Sequence, residues 1–288
     1  MSATLPDDCA LLGVDGGASG VRVHRVLPVA GGFALGEERA ERGGPQVEGA
    51  AAGIVEVARA AGAARVFFGM GMPGVKTPDG RGIASSRHGP EDVDFLDRVE
   101  ALVRAAGVAL LQPCERLDSD GYLCGVGEDL GEDGSFGDVR DAYYVGGGTG
   151  VAECMKLDGR VAALDELGIP RAWELGFEER ISVAGLNLRF GGHPEEAGDA
   201  GLPELEETAR AFAELVHLRN DALPHLERVV LGQRLALLFA PPVLRDLLRR
   251  AFVDEGLDPE LLMLSRLRAA PALGAGAAAF ARAFGEPA

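Results

Sequence analysis

Two short glycine-rich segments hold the residues of this sequence best suited to chemistry. The first, Asp15-Gly16-Gly17-Ala18-Ser19-Gly20, follows an apolar run over residues 10–14; the second, Gly146-Gly147-Gly148-Thr149-Gly150, follows another over residues 142–145. Each sets small residues and a hydroxyl at the end of a strand, and the first adds a carboxylate. Such a turn aims several backbone N–H groups at one point, and a side chain larger than methyl would keep phosphate oxygens out. Two of them, one from each half of the chain, would grip a polyphosphate from both sides. A third segment, Leu117-Asp118-Ser119-Asp120-Gly121, puts two carboxylates where a turn opens a helix. Either carboxylate is an N-cap on the plainest reading.

The surrounding pattern predicts the elements that position these residues. Val21, Val23 and Val26 alternate roughly with polar residues, so residues 10–26 read as a hairpin with an exposed turn. An alanine-rich helix follows over 47–61, then a strand over 65–69 that opens into Met70-Gly71-Met72-Pro73-Gly74. Residues 91–106 read as a helix with positions 95, 96, 99, 102, 103 and 106 on one apolar face, before a strand over 108–111. An acidic stretch near 129–138 reads as a surface loop. A second long hairpin runs from 142 to 161; helices over 203–218 and 242–254 flank a strand over 228–232. The small residues from Leu273 to Phe280 form a helix that lets another backbone approach closely. Strand, glycine turn with hydroxyl, strand and helices therefore occur twice. That repetition predicts two similar α/β halves with a cleft between them.

Composition narrows the partners. The 288 residues include 42 glycines, about twice ordinary use. The 47% hydrophobic fraction is ordinary, so the glycine does not signal disorder. Lys and Arg number 28 against 45 Asp and Glu, a formal charge of -17. Nucleic acid and anionic membrane surfaces, both polyanions, are therefore not expected as partners. A phosphorylated small ligand remains compatible, because backbone N–H groups and a metal ion hold phosphate without net positive charge. Cys9, Cys114, Cys124 and Cys154 lack C-x-x-C or zinc-type spacing and fit reduced thiols in a cytoplasmic protein. Neither a signal peptide nor a membrane span is read.

On these residues the sequence resembles the ROK group (repressors, open reading frames, kinases) of the actin-like ATPase, sugar-kinase and Hsp70 superfamily, over residues 13–280. Residues 13–19 resemble its first phosphate motif, with Ala18 and Ser19 where Gly and Thr are usual. Gly69-Met70-Gly71-Met72-Pro73-Gly74 is similar to its G-x-G-x-P-G turn. Asp120-Gly121-Tyr122, with Glu128 beyond, resembles the segment supplying the catalytic aspartate. Gly148-Thr149-Gly150-Val151 with Asp158-Gly159-Arg160 resembles the second phosphate motif, and Val229-Val230-Leu231-Gly232 the adenosine-side turn. The D-G-G-x-S order is also that of the N-acetylglucosamine kinase and benzoyl-CoA reductase activase type in the same superfamily. The Met-Pro-Gly turn favours ROK.

The resemblance implies a two-lobed, ribonuclease H-like α/β fold of duplicated mixed sheets around a central cleft. Its expected lobes are residues 1–116, completed by the C-terminal helix 273–288, and residues 117–272. It implies ATP- and Mg2+-dependent phosphorylation of a hydroxyl of a hexose or N-acetylated amino sugar. Asp120 is the expected base, with Asp118 its rival. Asp15, Gly16, Gly17, Ser19, Gly148, Thr149 and Gly150 would bind phosphate, Asp15 would hold the Mg2+, and Gly232 and Gln233 would lie on the adenosine side. Gly74, His88, Asp120 and Glu174 would face the sugar, and Trp173 would be placed to stack on it. A homodimer is among the assemblies the resemblance allows.

Several positions depart from the family pattern. Phe177 stands where a His follows the sugar-binding Glu, the cysteine-rich zinc loop is absent so no zinc is expected, and the sugar-binding Asn is missing near residues 85–88. Glu153 stands where the second phosphate loop continues with Gly. It would point outward, touch the metal, or mark lost nucleotide binding. The alternative function is thus a non-catalytic sugar- or nucleotide-binding regulator on the same fold. A DNA-binding repressor is not expected, because the first phosphate motif starts within fifteen residues of Met1 and leaves no room for a helix-turn-helix.

Overall fold

In a computed structural model, residues 5–17, 20–44, 46–87, 89–223 and 225–285 are described. The elements run β1 (Cys9–Gly17), β2 (Gly20–Val29), β3 (Gly32–Arg42), α1 (Gln46–Ala60), β4 (Arg65–Gly71), β5 (Val75–Lys76), β6 (Ile83–Ser85), α2 (Phe95–Ala105), β7 (Ala109–Leu110), β8 (Leu117–Asp118) and α3 (Asp120–Leu130). They continue with β9 (Ala142–Gly147), β10 (Val151–Leu157), β11 (Arg160–Ala162), α4 (Glu178–Ile181), α5 (Val183–Phe190), α6 (Leu202–Ala222), β12 (Arg228–Gly232), α7 (Gln233–Leu238), α8 (Pro242–Asp254), β13 (Leu262–Leu264) and α9 (Ala270–Phe284). The chain divides into two compact units: Met1–Gly134 with Ala269–Ala288, and Ser135–Arg268.

Both units are built on one strand order. In unit 1 the sheet runs β3-β2-β1-β4-β7, with β8 beside β4; in unit 2 it runs β11-β10-β9-β12-β13. Each begins as an antiparallel three-strand meander and continues as parallel strands. The uneven Val21, Val23, Val26 spacing has a cause: the β2–β3 register shifts between His24 and Val26. That bulge returns Val26 to a buried position after a step of three. The Asp158-Gly159 turn joins β10 to β11 with both residues in the left-handed region, as a two-residue hairpin loop requires.

In unit 1 alternation along β1 sorts the layers. Leu12 and Val14 pack with Ile54, Val57 and Val99 of α1 and α2. On the other face, a Cβ at Gly13 would lie 1.6 Å from the Ala272 carbonyl oxygen, and one at Gly69 would lie 1.9 Å from that of Ala275. The terminal helix α9 therefore runs with its backbone against the sheet. It packs as closely on α3, where a Cβ at Gly274 would lie 1.9 Å from the Leu123 carbonyl oxygen and one at Gly127 would lie 2.2 Å from that of Ala270.

This packing explains two differences from the sequence expectation. Residues 117–134 belong to unit 1, so the division falls at 134 rather than 116, because α3 is held by the glycines it shares with α9. The helix expected from 91 starts at Phe95, because Asp92 exchanges two backbone hydrogen bonds with Ile83. In unit 2, Tyr143, Val145, Met155, Val229 and Leu231 line a core closed by helices such as α6 and α8. The acidic loop is not wholly solvated, since Phe136 is buried and its carbonyl accepts from Lys156 Nζ at 2.7 Å.

A Gly274→Ala variant is expected to lose about 2 kcal/mol or more, because backbone collision outweighs the gain in helix propensity. Denaturant unfolding measures this, and a wild-type midpoint would contradict the packing described.

Candidate functional site

Four strands of unit 1 meet at one rung. Arg22 of β2 pairs with Asp15 of β1, Asp15 with Gly71 of β4, and Gly71 with Asp118 of β8. The rung lies at the carboxyl ends of β1 and β4, beside the change from antiparallel to parallel pairing. Open α/β sheets place their ligands outside such ends. Asp120 opens α3 two residues beyond it.

The three aspartates have different surroundings. Asp118 is closed off, with its side chain 5% exposed; Arg116 Nε donates to Oδ1 at 3.0 Å, and Arg282 Nη1 lies 3.0 Å from Oδ2. Neither Asp118 nor Asp120 is the N-cap of α3. Ser119 is, its Oγ accepting from Tyr122 N at 3.3 Å. Asp120 therefore sits in the first helical turn, half-buried, where the helix dipole favours its charge. Asp15 is 15% exposed, with Arg22 Nη1 3.5 Å from Oδ2. Burial pushes its carboxyl up to about 7, against the pull of Arg22 and with a further push from the Asp120 charge. Asp15 and Asp120 are thus near enough to repel.

Gly17, at the lip of the first turn, faces open space; Ser19 lies outside the described residues, as does the expected sugar residue His88. Gly16 has no room for a side chain, since a Cβ would lie 1.9 Å from Met72 Sδ. Gly74 is left-handed (φ +99°), and Lys76 Nζ donates to the carbonyls of Met72 and Gly74, both at 2.7 Å.

The candidates of unit 2 gather at the ends of β9 and β12. Thr149 is the exposed crest of the second turn. The Gly148 N–H is taken up by Gly150 O at 3.0 Å, and Gly148 O accepts from Ala184 N of α5 at 3.0 Å. Gly232 ends β12 against Tyr144, and Gln233 holds a left-handed φ of 54° with its side chain over Gly146. Non-glycine residues in that region are uncommon and gather at functional sites. Glu174 is exposed, and its Oε2 accepts from Arg171 N at 2.7 Å. Trp173 beside it is 43% exposed.

Glu153 turns inward rather than outward. Period two along β10 puts residues 151, 153 and 155 on the core face, and there Glu153 meets Tyr143 and Arg219. That alternation was visible in the sequence. Arg219, 66 residues away on α6, gave no signal, and Arg22 was hidden as the polar residue between two core valines. Among the described residues no three His, Cys, Asp or Glu side chains are grouped to hold a metal ion. No described helix is long and apolar enough to cross a membrane, and all four cysteines are free thiols.

No family model and no curated protein sequence matches the chain. Solved structures do. A ROK family glucokinase from Streptomyces griseus in complex with glucose and AMPPNP aligns with TM-score 0.70 at 16% identity, over 93% of this chain and 98% of that one. The ROK hexokinase of Thermus thermophilus aligns with TM-score 0.64 at 19% identity, over 95% and 99%. A ROK family transcriptional regulator, a homologue of the E. coli MLC protein, aligns with TM-score 0.59 at 13% identity, over 94% and 78%. The chain has the two-domain, mixed α/β fold of these ROK structures.

Two stability measurements test this electrostatic picture. Asp118→Asn is expected to cost about 1–2 kcal/mol, because it removes the charge of a buried carboxylate that two partly exposed arginines approach. Denaturant unfolding reads this, and a wild-type midpoint would place Asp118 outside the ion pair. The folded state also favours neutral Asp15, whose carboxyl rises from 3.8 to about 7. The wild type therefore loses stability relative to Asp15→Asn as pH rises from about 4 to about 7, and the difference levels off above about pH 8. Melting temperatures of the two proteins without divalent cation or nucleotide read this directly; a pH-independent difference would refute it.

Proposed function

We propose that the protein is an ATP-dependent sugar kinase that phosphorylates a hydroxyl of a hexose or an N-acetylated amino sugar. The observation that carries this reading is the rung Arg22, Asp15, Gly71, Asp118 with Asp120 just beyond it, on a fold shared with a glucokinase that binds glucose and AMPPNP. In this reading Asp120 is the base. Its carboxylate orients the acceptor hydroxyl and takes its proton as the oxygen attacks the terminal phosphorus, whose bond to the bridging oxygen breaks to release ADP. Asp118 keeps its arginines and serves the fold.

In this reading Gly16, Gly17 and Ser19 are the phosphate-binding residues of unit 1, and Gly148, Thr149 and Gly150 are those of unit 2, with Gly148 giving space rather than its N–H. Gly232 and Gln233 border the adenosine. Gly74, His88 and Asp120 are the sugar-binding residues of unit 1 in this reading, and Glu174 is that of unit 2. Asp15 fits Mg2+ in the mode that uses one or two carboxylates plus water and phosphate oxygens, which needs no three-ligand cluster. Bound there, the ion would neutralise developing charge on the phosphates.

The position of Glu174, whose carboxylate accepts from its own segment, favours a second reading: a non-catalytic sugar- or nucleotide-binding regulator.

Coupled measurement of ADP release with ATP, Mg2+ and a panel of hexoses and N-acetylated amino sugars decides between them. The kinase reading expects sugar-dependent turnover that falls about 100-fold or more in Asp120→Asn. ATP or sugar binding by calorimetry without turnover supports the regulator, and absence of both turnover and binding overturns both readings.

A further inference from the structure

Glu153 sits on the core face of β10, three residues after the glycine turn, with its side chain 3% exposed. Its Oε1 accepts from the Tyr143 hydroxyl and from Arg219 Nη2 at 2.8 Å; Arg219 itself is 4% exposed, and its Nε donates to the Tyr143 oxygen at 3.3 Å. Burial and the Glu153 charge push the Tyr143 hydroxyl well above its ordinary range, so it stays a donor. The other oxygen, Oε2, leaves this group and accepts from the backbone N–H of Ala172 at 2.6 Å.

That last bond reaches a self-contained loop. Ala172 and Phe177 are buried at its two ends, while residues 173–176 are exposed between them. Phe177 N donates to Ala172 O at 2.8 Å and Gly176 N to Trp173 O at 3.2 Å, with Gly176 left-handed, which is the Schellman closure of a helical turn. The turn's two leading N–H groups are both met by carboxylates, Arg171 by Glu174 and Ala172 by Glu153. Glu174 belongs to the loop and can only shape it. Glu153 belongs to the strand that carries the phosphate turn, and it connects the two.

We propose that Glu153, held by Arg219 and Tyr143, is a positioning residue. It fixes the 171–177 loop, and with it Trp173 and Glu174, relative to the Gly146–Gly150 turn of the same unit, so that sugar recognition depends on a carboxylate that never touches sugar. The loop-fixing role stands on the geometry above, and the sugar dependence rests on the kinase reading.

Two paired substitutions isolate the Ala172 bond while removing the charge of both partners. Glu153→Gln with Arg219→Met keeps an acceptor for Ala172; Glu153→Leu with Arg219→Met keeps none. Trp173 is the sole tryptophan, so acrylamide quenching of intrinsic fluorescence reports this loop alone. The Gln pair is expected to quench like wild type and to hold its sugar KM. In the Leu pair quenching should rise about twofold and sugar KM about tenfold at nearly constant kcat, as the loss of one buried hydrogen bond to a binding loop implies. Far-UV circular dichroism confirms that each pair folds, and if the Leu pair does not, Glu153→Asp, too short to reach Ala172, replaces it with the same expectation. Equal quenching in the acceptor-keeping and acceptor-lacking proteins overturns the loop-fixing role. A wild type that neither turns over sugar nor changes Trp173 emission on sugar addition overturns the kinase reading and the sugar dependence together, and the quenching comparison still decides the loop.

Discussion

Unit 1 depends on backbones meeting where side chains would normally stand. Helix α9 approaches β1 at Gly13, β4 at Gly69 and α3 at Gly127, and offers Gly274 in return. Side chains on any of these residues would push the helix off the sheet, and α3 would move with it. Asp120 is carried in the first turn of α3, and Asp118 is tied to Arg282 of α9. The spacing between the strand-end carboxylate Asp15 and the helix-borne Asp120 is therefore set by glycine contacts on the far side of the sheet from α1 and α2.

The buried charges divide by what surrounds them. Asp118 and Glu153 each meet arginine at hydrogen-bonding distance, which offsets the cost of burying a carboxylate. Among the described residues Asp15 has the half-exposed Arg22 at 3.5 Å and a second carboxylate nearby, so its charge is held less well. Buried carboxylates that face arginine serve the fold. A carboxylate left poorly compensated at the end of a strand is where a bound cation or phosphate donor has most to contribute.

Much of this was legible in the sequence, and the parts that were not share a physical reason. Strand 228–232 and helix 242–254 were read at their observed bounds, because period and turn chemistry are local. The repeated strand and glycine-turn pattern foretold the duplicated sheet order, and the small residues after Leu273 foretold the close helix. The helix start at Phe95 was missed because a pair of backbone bonds between Asp92 and Ile83 overrode helical periodicity. The break at 134 was missed because it is set by contacts between α3 and α9, far apart in sequence. Glu153 stands out in the sequence as a departure whose direction is left open, since the identity of its partner Arg219 is a matter of tertiary placement alone.

The two units also differ in when they can be finished. Residues 135–268 form unit 2 from one continuous stretch, whereas unit 1 joins residues before 134 to residues after 269. During synthesis the first sheet emerges early with its α9 face uncovered, and unit 2 is completed before the helix that covers that face exists. Contacts so distant in sequence form late and slowly. The half of the protein that is made first is thus the half that matures last, with Asp120 set in place only once the chain has passed Phe284.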